Sequence, residues 1–281
     1  MLLVIKRSSY SCHCMCRTLL TDSNILKEAK KLPMAQPILY PTLESVLNVF
    51  NDPKFKDRND VKHLIKIYDD IKGEQQIGEE KTKKHPLIVI EGLDGTGKTT
   101  ITRKLSNRIG AELFCTPPPC MHSIRDLFDD DSLLRTAYYA MGNYVAALQI
   151  SQMLKKMPVV LDRFWHSTTA YALAQAVNDN PGEIKLPPTG DSVYRWPADL
   201  LKPDIVILLT VSEHARIKRQ SRRQTITPQE KLLKSDISFR ENVLTAYKNM
   251  WDPAVEIVNG DPFPKTVTNA ILEKIEGLLQ Q

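Results

Sequence analysis

The chain has 281 residues, enough for one large domain or for a domain that carries a sizeable extension. Its composition, 42% hydrophobic and 25% charged, is ordinary for a globular protein, and no apolar run approaches the ~18 residues that a membrane-spanning helix needs. A formal net charge of +5 suits a phosphate-rich ligand but is too small to predict a nucleic-acid partner.

Residues 1–21 have the composition of a mitochondrial presequence. Lys6, Arg7 and Arg17 supply positive charge, serines are frequent, and the first acidic residue is Asp22. A short stretch can reach this composition by chance. The sequence therefore predicts a mitochondrial location, with a cytoplasmic location as the alternative.

Residues 22–84 are predicted to form an N-terminal extension that ends in a polar linker. Prolines punctuate 32–41 and predict extended or turn structure there. Apolar residues recur at helical spacing in 42–50 and in 60–71, which predicts two amphipathic helices. The segment 73–85 is highly polar, as linkers are, and no group of residues in this extension indicates catalysis.

From residue 85 to residue 281 the pattern changes to short apolar runs separated by stretches long enough for crossover helices. The runs are LIVIE (87–91), ELFCT (112–116), PVVLD (158–162), DIVILLT (204–210) and VEIVN (255–259). Strands that are buried on both faces of a parallel sheet read as continuous apolar runs. We therefore predict a three-layer α/β domain with a five-stranded parallel sheet, of the P-loop NTPase type.

The loop after the first run predicts a phosphate-binding site. Gly92, Gly97, Lys98 and Thr99 match G-x-x-x-x-G-K-[ST] between a predicted strand and a predicted helix. Glycines let phosphate oxygens approach backbone N–H groups, and the helix N-terminus adds partial positive charge. Lys98 is expected to reach the β- and γ-phosphates of ATP, and the Thr99 hydroxyl to bind Mg²⁺. The alternative is a glycine-rich turn that binds nothing.

The nucleotide is expected to contact the whole loop and the start of the helix. The predicted ATP-binding residues are Gly92, Leu93, Asp94, Gly95, Thr96, Gly97, Lys98, Thr99 and Thr100.

Three later segments narrow the class of protein. Asp162 and Arg163 follow the third apolar run, where open α/β sheets place their ligand crevice. Asp162 can assist Mg²⁺ through a water molecule, and Arg163 can hold a phosphate with two hydrogen bonds. Basic residues crowd 214–224, a pattern that is usually a solvated helix face, and 235–247 carries an apolar stripe typical of core packing.

In order and spacing these motifs resemble the thymidylate kinase family of P-loop nucleoside monophosphate kinases. The matching residues are Glu91, Gly92, Asp94, Gly97, Lys98 and Thr99 in the loop, Asp162, Arg163, Phe164, Ser167, Ala170 and Tyr171 in the D-R motif, Arg219 and Arg223 in the lid, and Phe239, Val243 and Tyr247 beyond it. The resemblance covers 86–281, so 85–281 is expected to be the kinase domain. It implies transfer of the ATP γ-phosphoryl group to a pyrimidine nucleoside monophosphate, and the family commonly forms homodimers.

The resemblance also implies roles for the charged residues. In the family the aspartate at Asp94 meets the sugar hydroxyl of the acceptor. Some members carry an arginine after it, whereas this chain has Gly95 and is similar to members that use lid arginines instead. The resulting catalytic candidates are Lys98, Asp162, Arg163, Arg219, Arg222 and Arg223. The lid is expected to close over ATP.

The acceptor side departs from the family pattern. A family segment Phe-x-x-x-Arg stacks on the base and contacts thymine; here Tyr138 or Tyr139 can stack, and Gly142 or Asn143 stands in place of the arginine. The second strand leads into TPPP without an arginine, which leaves Arg125 as a phosphate contact. The predicted monophosphate site is Asp94, Arg125, Tyr138, Tyr139, Asn143, Arg163, Ser167 and Tyr171.

These departures, together with the basic start and the extra N-terminal segment, resemble the mitochondrial UMP-CMP kinase branch of the family. That resemblance implies salvage phosphorylation of dUMP, dCMP, UMP and CMP. One alternative is a dTMP kinase. Another is a nucleotide-binding regulatory protein without turnover, against which the intact Lys98, Thr99, Asp162 and Arg163 argue.

Overall fold

The structure is a computed structural model, and it describes residues 39–74, 83–220 and 236–280. The predicted presequence, most of the predicted linker, and Arg222 and Arg223 of the predicted lid lie outside these residues.

All five predicted strands form a single parallel sheet. They are β1 Leu87–Glu91, β2 Glu112–Cys115, β3 Val159–Asp162, β4 Ile205–Thr210 and β5 Val255–Asn259. The strand order is β2-β3-β1-β4-β5, so β1 lies at the centre. The register places Ile90 beside Asp162, and Glu91 beside Leu208. The residues that end β1, β3 and β4 therefore meet at one edge of the sheet.

Burial differs between the central and the outer strands. Every residue of β1 is buried, whereas Leu113 of β2 and Ile257 of β5 are 40% and 49% exposed. Edge strands have a neighbour on one side only, so the prediction of strands buried on both faces holds for the centre of the sheet and is wrong for its edges.

Eight α-helices lie within the described part of the chain. They are α1 Leu43–Phe50, α2 Asn59–Gly73, α3 Lys98–Ile109, α4 Ser132–Met153, α5 Trp165–Asp179, α6 Glu213–Gln220, α7 Ile237–Asn249 and α8 Pro264–Leu279. Two 3₁₀ segments, Pro119–Phe128 and Ser192–Tyr194, connect them. None of these described helices is both long enough and apolar enough to cross a membrane.

The helices cover both faces of the sheet, which confirms the three-layer prediction. Ile88 and Ile90 pack against α3 and α8, whereas Leu87 and Val89 belong to a larger core with α4, α5 and α7. This alternation follows from the two-residue period of a strand.

The two helices predicted in the N-terminal extension are present and pack on this larger core. Val46 and Phe50 of α1 and Val61 and Leu64 of α2 are buried in it. The apolar face that the sequence pattern predicts for each helix is therefore the face that packs against the core.

Candidate active site

The P-loop, residues 92–99, leaves β1 and leads directly into α3 as predicted. Gly92 has a φ angle of 144°, and a Cβ atom there would lie 2.5 Å from the carbonyl oxygen of Leu209 in β4. Gly97 caps α3 with a φ of 95°. Only glycine adopts these angles readily, and at Gly92 only glycine fits beside the neighbouring strand.

Lys98 lies inside the loop with its side chain 5% exposed. Its Nζ donates to the carbonyl oxygens of Gly92, at 3.0 Å, and Leu93, at 2.9 Å, and lies 3.8 Å from a carboxylate oxygen of Asp94. Burial, with a further contribution from the charge of Arg163, lowers the pKa of Lys98 to about 8. An ammonium group that has lost its water shell and has mainly carbonyl partners is well placed to bind an incoming anion.

Thr99 and Asp162 stand side by side at the end of the sheet. The Thr99 hydroxyl donates to a carboxylate oxygen of Asp162 across 3.0 Å. Hydroxyl and carboxylate oxygens are ligands that Mg²⁺ accepts, and Mg²⁺ usually completes its shell with water and substrate phosphates. The described residues contain no cluster of three or more His, Cys, Asp or Glu side chains that would replace those ligands. The pair fits a magnesium ion carried in with a nucleotide.

Arg163 connects β3 to the loop. Its Nη2 donates to Asp94 at 2.6 Å, its Nη1 donates to Ser167 Oγ at 3.0 Å, and its guanidinium lies 5.6 Å from the centre of the Tyr171 ring. Its φ of 68° makes it the only non-glycine residue with positive φ in the described chain. Such a backbone persists only where surrounding contacts enforce it, and it clusters at functional sites. Here the backbone N–H of Arg163 donates to Ile90 and its carbonyl accepts from Thr116.

Glu91, the last residue of β1, accepts hydrogen bonds from the start of α5, which is distant from it in sequence. It is fully buried and accepts from the backbone N–H groups of Phe164, at 2.9 Å, and Ser167, at 3.1 Å. It also accepts from the hydroxyls of Ser167 and Tyr247. Because no side chain of the helix itself caps α5, Glu91 satisfies donors that the helix N-terminus leaves free. Burial raises the pKa of Glu91 above its usual value. The sequence matched Glu91 to the family motif but predicted no role for it.

A cavity of about 240 Å³ opens beside the P-loop between α4, α5 and α7. Its walls are formed by Asp94, Thr116, Arg135, Thr136, Tyr139, Arg163, Phe164, Ser167, Thr168, Tyr171, Ala172, Gln175 and Phe239. Five of the predicted monophosphate-binding residues thus share one cavity, namely Asp94, Tyr139, Arg163, Ser167 and Tyr171.

Tyr138 does not reach this cavity, which corrects the prediction that it could stack on a base. Its ring is fully buried and stacks on Phe128 with ring centres 4.9 Å apart, and its hydroxyl donates to the carbonyl of Met121. Consecutive helix residues point about 100° apart, so only Tyr139 faces the cavity.

Asn143 and Arg125 also lie outside the cavity wall. The Asn143 amide is buried and donates to Thr168 Oγ1 at 3.0 Å, so it supports the wall from behind. Gly142 packs against Pro117, where a Cβ atom would lie 3.2 Å from the proline ring. Arg125 donates from Nε to the Tyr139 hydroxyl at 2.9 Å. It holds the aromatic wall residue in place from outside the cavity lining.

Several cavity residues were missed by the sequence reasoning. Arg135 and Thr136 lie one turn before Tyr139 on α4, and Thr168, Ala172 and Gln175 follow one face of α5. Arg135 makes no side-chain hydrogen bond or ion pair within the described residues. The signal that could have found them is helical spacing from Tyr139 and from Tyr171.

Of the predicted lid arginines, Arg219 is described and lies against the P-loop. Its two terminal nitrogens donate to the carbonyls of Thr96 and Gly260, each at 2.9 Å. Arg216 of the same helix is buried and paired with Glu213, so α6 is only partly a solvated basic face. Arg222 and Arg223 lie outside the described residues.

Comparisons with known proteins agree with this geometry. A sequence model of the family "Thymidylate kinase" matches residues 90–271. Human "UMP-CMP kinase 2, mitochondrial" is 36% identical over 195 residues, which are 69% of this chain and 43% of that protein. The chain therefore spans less than half of the human relative. A "Probable thymidylate kinase" of Thermoplasma volcanium is 31% identical over 191 residues, 66% of this chain and 94% of that one.

Among solved structures, the thymidylate kinase of Candida albicans superposes with a TM-score of 0.53 at 23% identity, over 69% of this chain and 92% of that one. At this identity the likeness concerns the fold. The family match covers well over half of the chain and contains the P-loop, Asp162 and Arg163. This chain belongs to the thymidylate kinase family.

Proposed function

We propose that this protein transfers the γ-phosphoryl group of ATP to a pyrimidine nucleoside monophosphate. The observation that carries the proposal is that the P-loop and the neighbouring cavity share Asp94, with Arg163 bound to it at 2.6 Å. A nucleotide held by the loop and a second one held in the cavity would therefore meet at this pair.

The residues on the donor side fit ATP with Mg²⁺. Lys98 and the loop N–H groups would hold the phosphates, and Thr99 with Asp162 would hold the metal, directly and through water. When bound, the ion neutralises part of the triphosphate charge. Arg219 is the described lid arginine in reach of the loop, and we propose Arg222 and Arg223 as its partners.

The reaction needs little covalent help from the protein. An oxygen of the acceptor phosphate attacks the γ-phosphorus, and the bond from that phosphorus to its bridging oxygen breaks, so that two diphosphates result. The attacking oxygen is already anionic and requires no general base. The task of Lys98 and Arg163 is to offset the repulsion between two polyanions and to hold them in line.

The directions of α4 and α5 orient the monophosphate. Asn143 contacts Thr168, and the cavity residues of α4 all precede Asn143, whereas those of α5 extend from Ser167 onward to Gln175. The helices therefore run in opposite directions, with Arg135 and Gln175 each about two turns from this contact. We propose that the phosphate lies at Arg163 and the base lies against Tyr139, toward Arg135 and Gln175.

This orientation suits a pyrimidine base. The Arg135 guanidinium can donate to a pyrimidine carbonyl, and the Gln175 amide can donate to the carbonyl of uracil or accept from the amino group of cytosine. Where the family has a thymine-contacting arginine, this chain has Gly142 or Asn143, and the buried Asn143 amide donates to Thr168. The absence of that arginine supports UMP, CMP, dUMP and dCMP in nucleotide salvage over dTMP.

A panel of monophosphates with ATP and Mg²⁺ tests the proposal. Diphosphate formation should be efficient with the uracil and cytosine nucleotides and weaker with dTMP, and Lys98→Ala should abolish it. If dTMP is the best acceptor, the protein is a dTMP kinase. Binding of ATP without transfer to any acceptor would instead support a regulatory nucleotide-binding protein.

We further propose a mitochondrial location and a homodimer. The basic, acid-free composition of residues 1–21 and the mitochondrial human relative support the location. Imaging of the full chain with a C-terminal fluorescent tag tests it, and a chain confined to the cytosol would contradict it. Light scattering after gel filtration tests the dimer, and a mass of one chain would contradict it.

A further inference from the structure

We infer that residues 39–74 form the supporting back wall of the monophosphate cavity and thereby set the affinity for the monophosphate. The inference rests on the proposed function, because it assigns the cavity to that ligand. The family match begins at residue 90, so this segment lies outside the matched region.

The first contact is at the start of the segment, which lies behind the first turn of α4. The Tyr40 hydroxyl donates to the carbonyl of Leu133 at 3.1 Å. Leu39 and Tyr40 also border a narrow gap of about 10 Å³ together with Thr136 and Thr168, both of which face the cavity on their other side. The segment thus touches the rear of residues whose front forms the proposed ligand site.

The second contact is an anchor at Arg58, just before α2. Arg58 binds the Asp60 carboxylate at 2.7 Å, and it reaches across to Asp130 at 3.1 Å and to the carbonyl of Leu127 at 2.9 Å. Although burial acts in the opposite direction, the hydrogen bonds from Arg58 hold the pKa of Asp60 below its usual value. This anchor fixes the chain that leads into α4.

Lys54 extends the same anchor to the cap of α4. Its Nζ lies 3.1 Å from Asp131. Asp131 accepts from the backbone N–H groups of Leu133 and Leu134 and so caps the helix that carries Arg135 and Tyr139.

A row of aromatic rings connects the segment to the cavity. Phe50 of α1 meets Phe128 edge-on at 6.5 Å, Phe128 stacks on Tyr138 at 4.9 Å, and Tyr138 meets Tyr139 edge-on at 5.4 Å. Tyr139 is the ring that faces the ligand site. Buried Tyr138 therefore has a structural role, because it connects Phe128, which packs against α1, to Tyr139 in the cavity wall.

These contacts act on one substrate site and not on the other. The hydrogen bonds and ion pairs given above join 39–74 to residues 127–133, whereas the P-loop is positioned by β1, β4 and α6. A wall that is already fixed spares the ligand the free-energy cost of ordering it on binding. Weakening the support should therefore raise the KM for the monophosphate and leave the KM for ATP nearly unchanged.

The test uses the full chain with the double substitution Tyr40→Phe and Arg58→Gln, which removes hydrogen bonds without opening a large cavity. We expect the KM for CMP and dCMP, and their Kd by calorimetry without ATP, to rise roughly threefold to tenfold. The KM for ATP and kcat should stay within about twofold. In the Tyr40→Phe background, Arg58→Lys should restore part of the affinity lost with Arg58→Gln, since it keeps a charge facing Asp130.

Two controls separate positioning from general stability. Lys62→Gln removes an exposed ion pair with Asp57 inside the same segment, and Ile271→Val weakens the core on the opposite face of the sheet. Neither should change either KM. A double variant with unchanged CMP and dCMP affinity, or with an equal loss for ATP, would overturn the inference while the proposed function stands. If the unsubstituted protein phosphorylates no monophosphate, the proposed function fails, and the calorimetric Kd still decides the inference.

Discussion

The guanidinium of Arg163 donates to the carboxylate of Asp94 across 2.6 Å, which ties the end of β3 to the middle of the P-loop. Both side chains are largely withdrawn from water, at 20% and 15% exposed. The contact explains how an acidic residue is accommodated in a loop built to bind anions, because Arg163 neutralises it. The proposed meeting point of the two nucleotides therefore lies at an ion pair between the end of β3 and the P-loop.

Asp94→Asn should lower both the free energy of unfolding and the affinity for the monophosphate, which can be measured separately. The substitution leaves Arg163 buried without its counter-charge, and we expect a loss of about 2–4 kcal/mol in the free energy of unfolding. The KM for the monophosphate should rise about tenfold, because Asp94 lines the cavity. Urea unfolding and steady-state kinetics measure the two effects. Asp69→Asn, on the exposed face of α2, is the control, and a larger effect on ATP than on the monophosphate would contradict this assignment.

The sequence alone predicts the parts of the fold that depend on residues close together in the chain. Five apolar runs give the five strands, and the spacing of Gly92, Gly97 and Lys98 gives the strand–loop–helix unit, since both depend on neighbouring residues. Asp162 and Arg163 meet the loop because parallel strands end at one edge of the sheet.

The sequence does not predict which side of α4 faces the cavity. Tyr138 and Tyr139 are adjacent and chemically alike, and their different positions follow from packing against Phe128 and from the hydrogen bond of Arg125. Arg125 and Asn143 are polar residues at plausible positions, yet both support the wall from behind. These contacts join elements that are distant in sequence, so a local sequence pattern cannot predict them.

Lys98 should give the nucleotide-free protein a distinctive pH dependence. Its pKa is about 8 in the folded state and 10.5 as an ordinary lysine, so between these values the unfolded chain binds more protons. Unfolding free energy should therefore rise with pH across this window, by about 3 kcal/mol in total from this group. Lys98→Met should lose that rise. Urea unfolding from pH 7 to pH 10.5 measures it, and parallel curves for the two proteins would refute the shift.

Substitutions of Tyr139 and Arg135 should distinguish stacking on the base from hydrogen bonding to the edge of the base. Tyr139→Ala removes the aromatic wall, and stacking on a base contributes about 1–3 kcal/mol, so the KM for the monophosphate should rise roughly tenfold to hundredfold. Tyr139→Phe keeps the ring and loses only the bond to Arg125, so its effect should be far smaller. Arg135→Gln should raise the KM for uracil, cytosine and thymine nucleotides alike, because each of these bases offers a carbonyl oxygen to the guanidinium. The same acceptor panel measures all three, and an unchanged KM for every monophosphate in Arg135→Gln would remove Arg135 from the base site.

Glu91 offers a test of whether a buried carboxylate is needed as a charge or as an acceptor. Because its folded pKa is raised, the folded protein keeps a proton that the unfolded chain releases above pH 4.5, and stability falls as pH rises through that window. Glu91→Gln cannot titrate, still accepts from Phe164 and Ser167, and can donate to the hydroxyl of Tyr247. It should lack this fall and be at least as stable as the original at pH 7.

Glu91→Ala is the contrasting variant for that experiment. It leaves the N–H groups of Phe164 and Ser167 without their acceptor at the start of α5, and we expect it to cost about 2–5 kcal/mol at every pH. Urea unfolding from pH 4 to pH 8 compares the three proteins. If Glu91→Gln is as unstable as Glu91→Ala, the ionised carboxylate itself is required. The explanation would then be its charge acting on Arg163, and not its acceptor role at the end of α5.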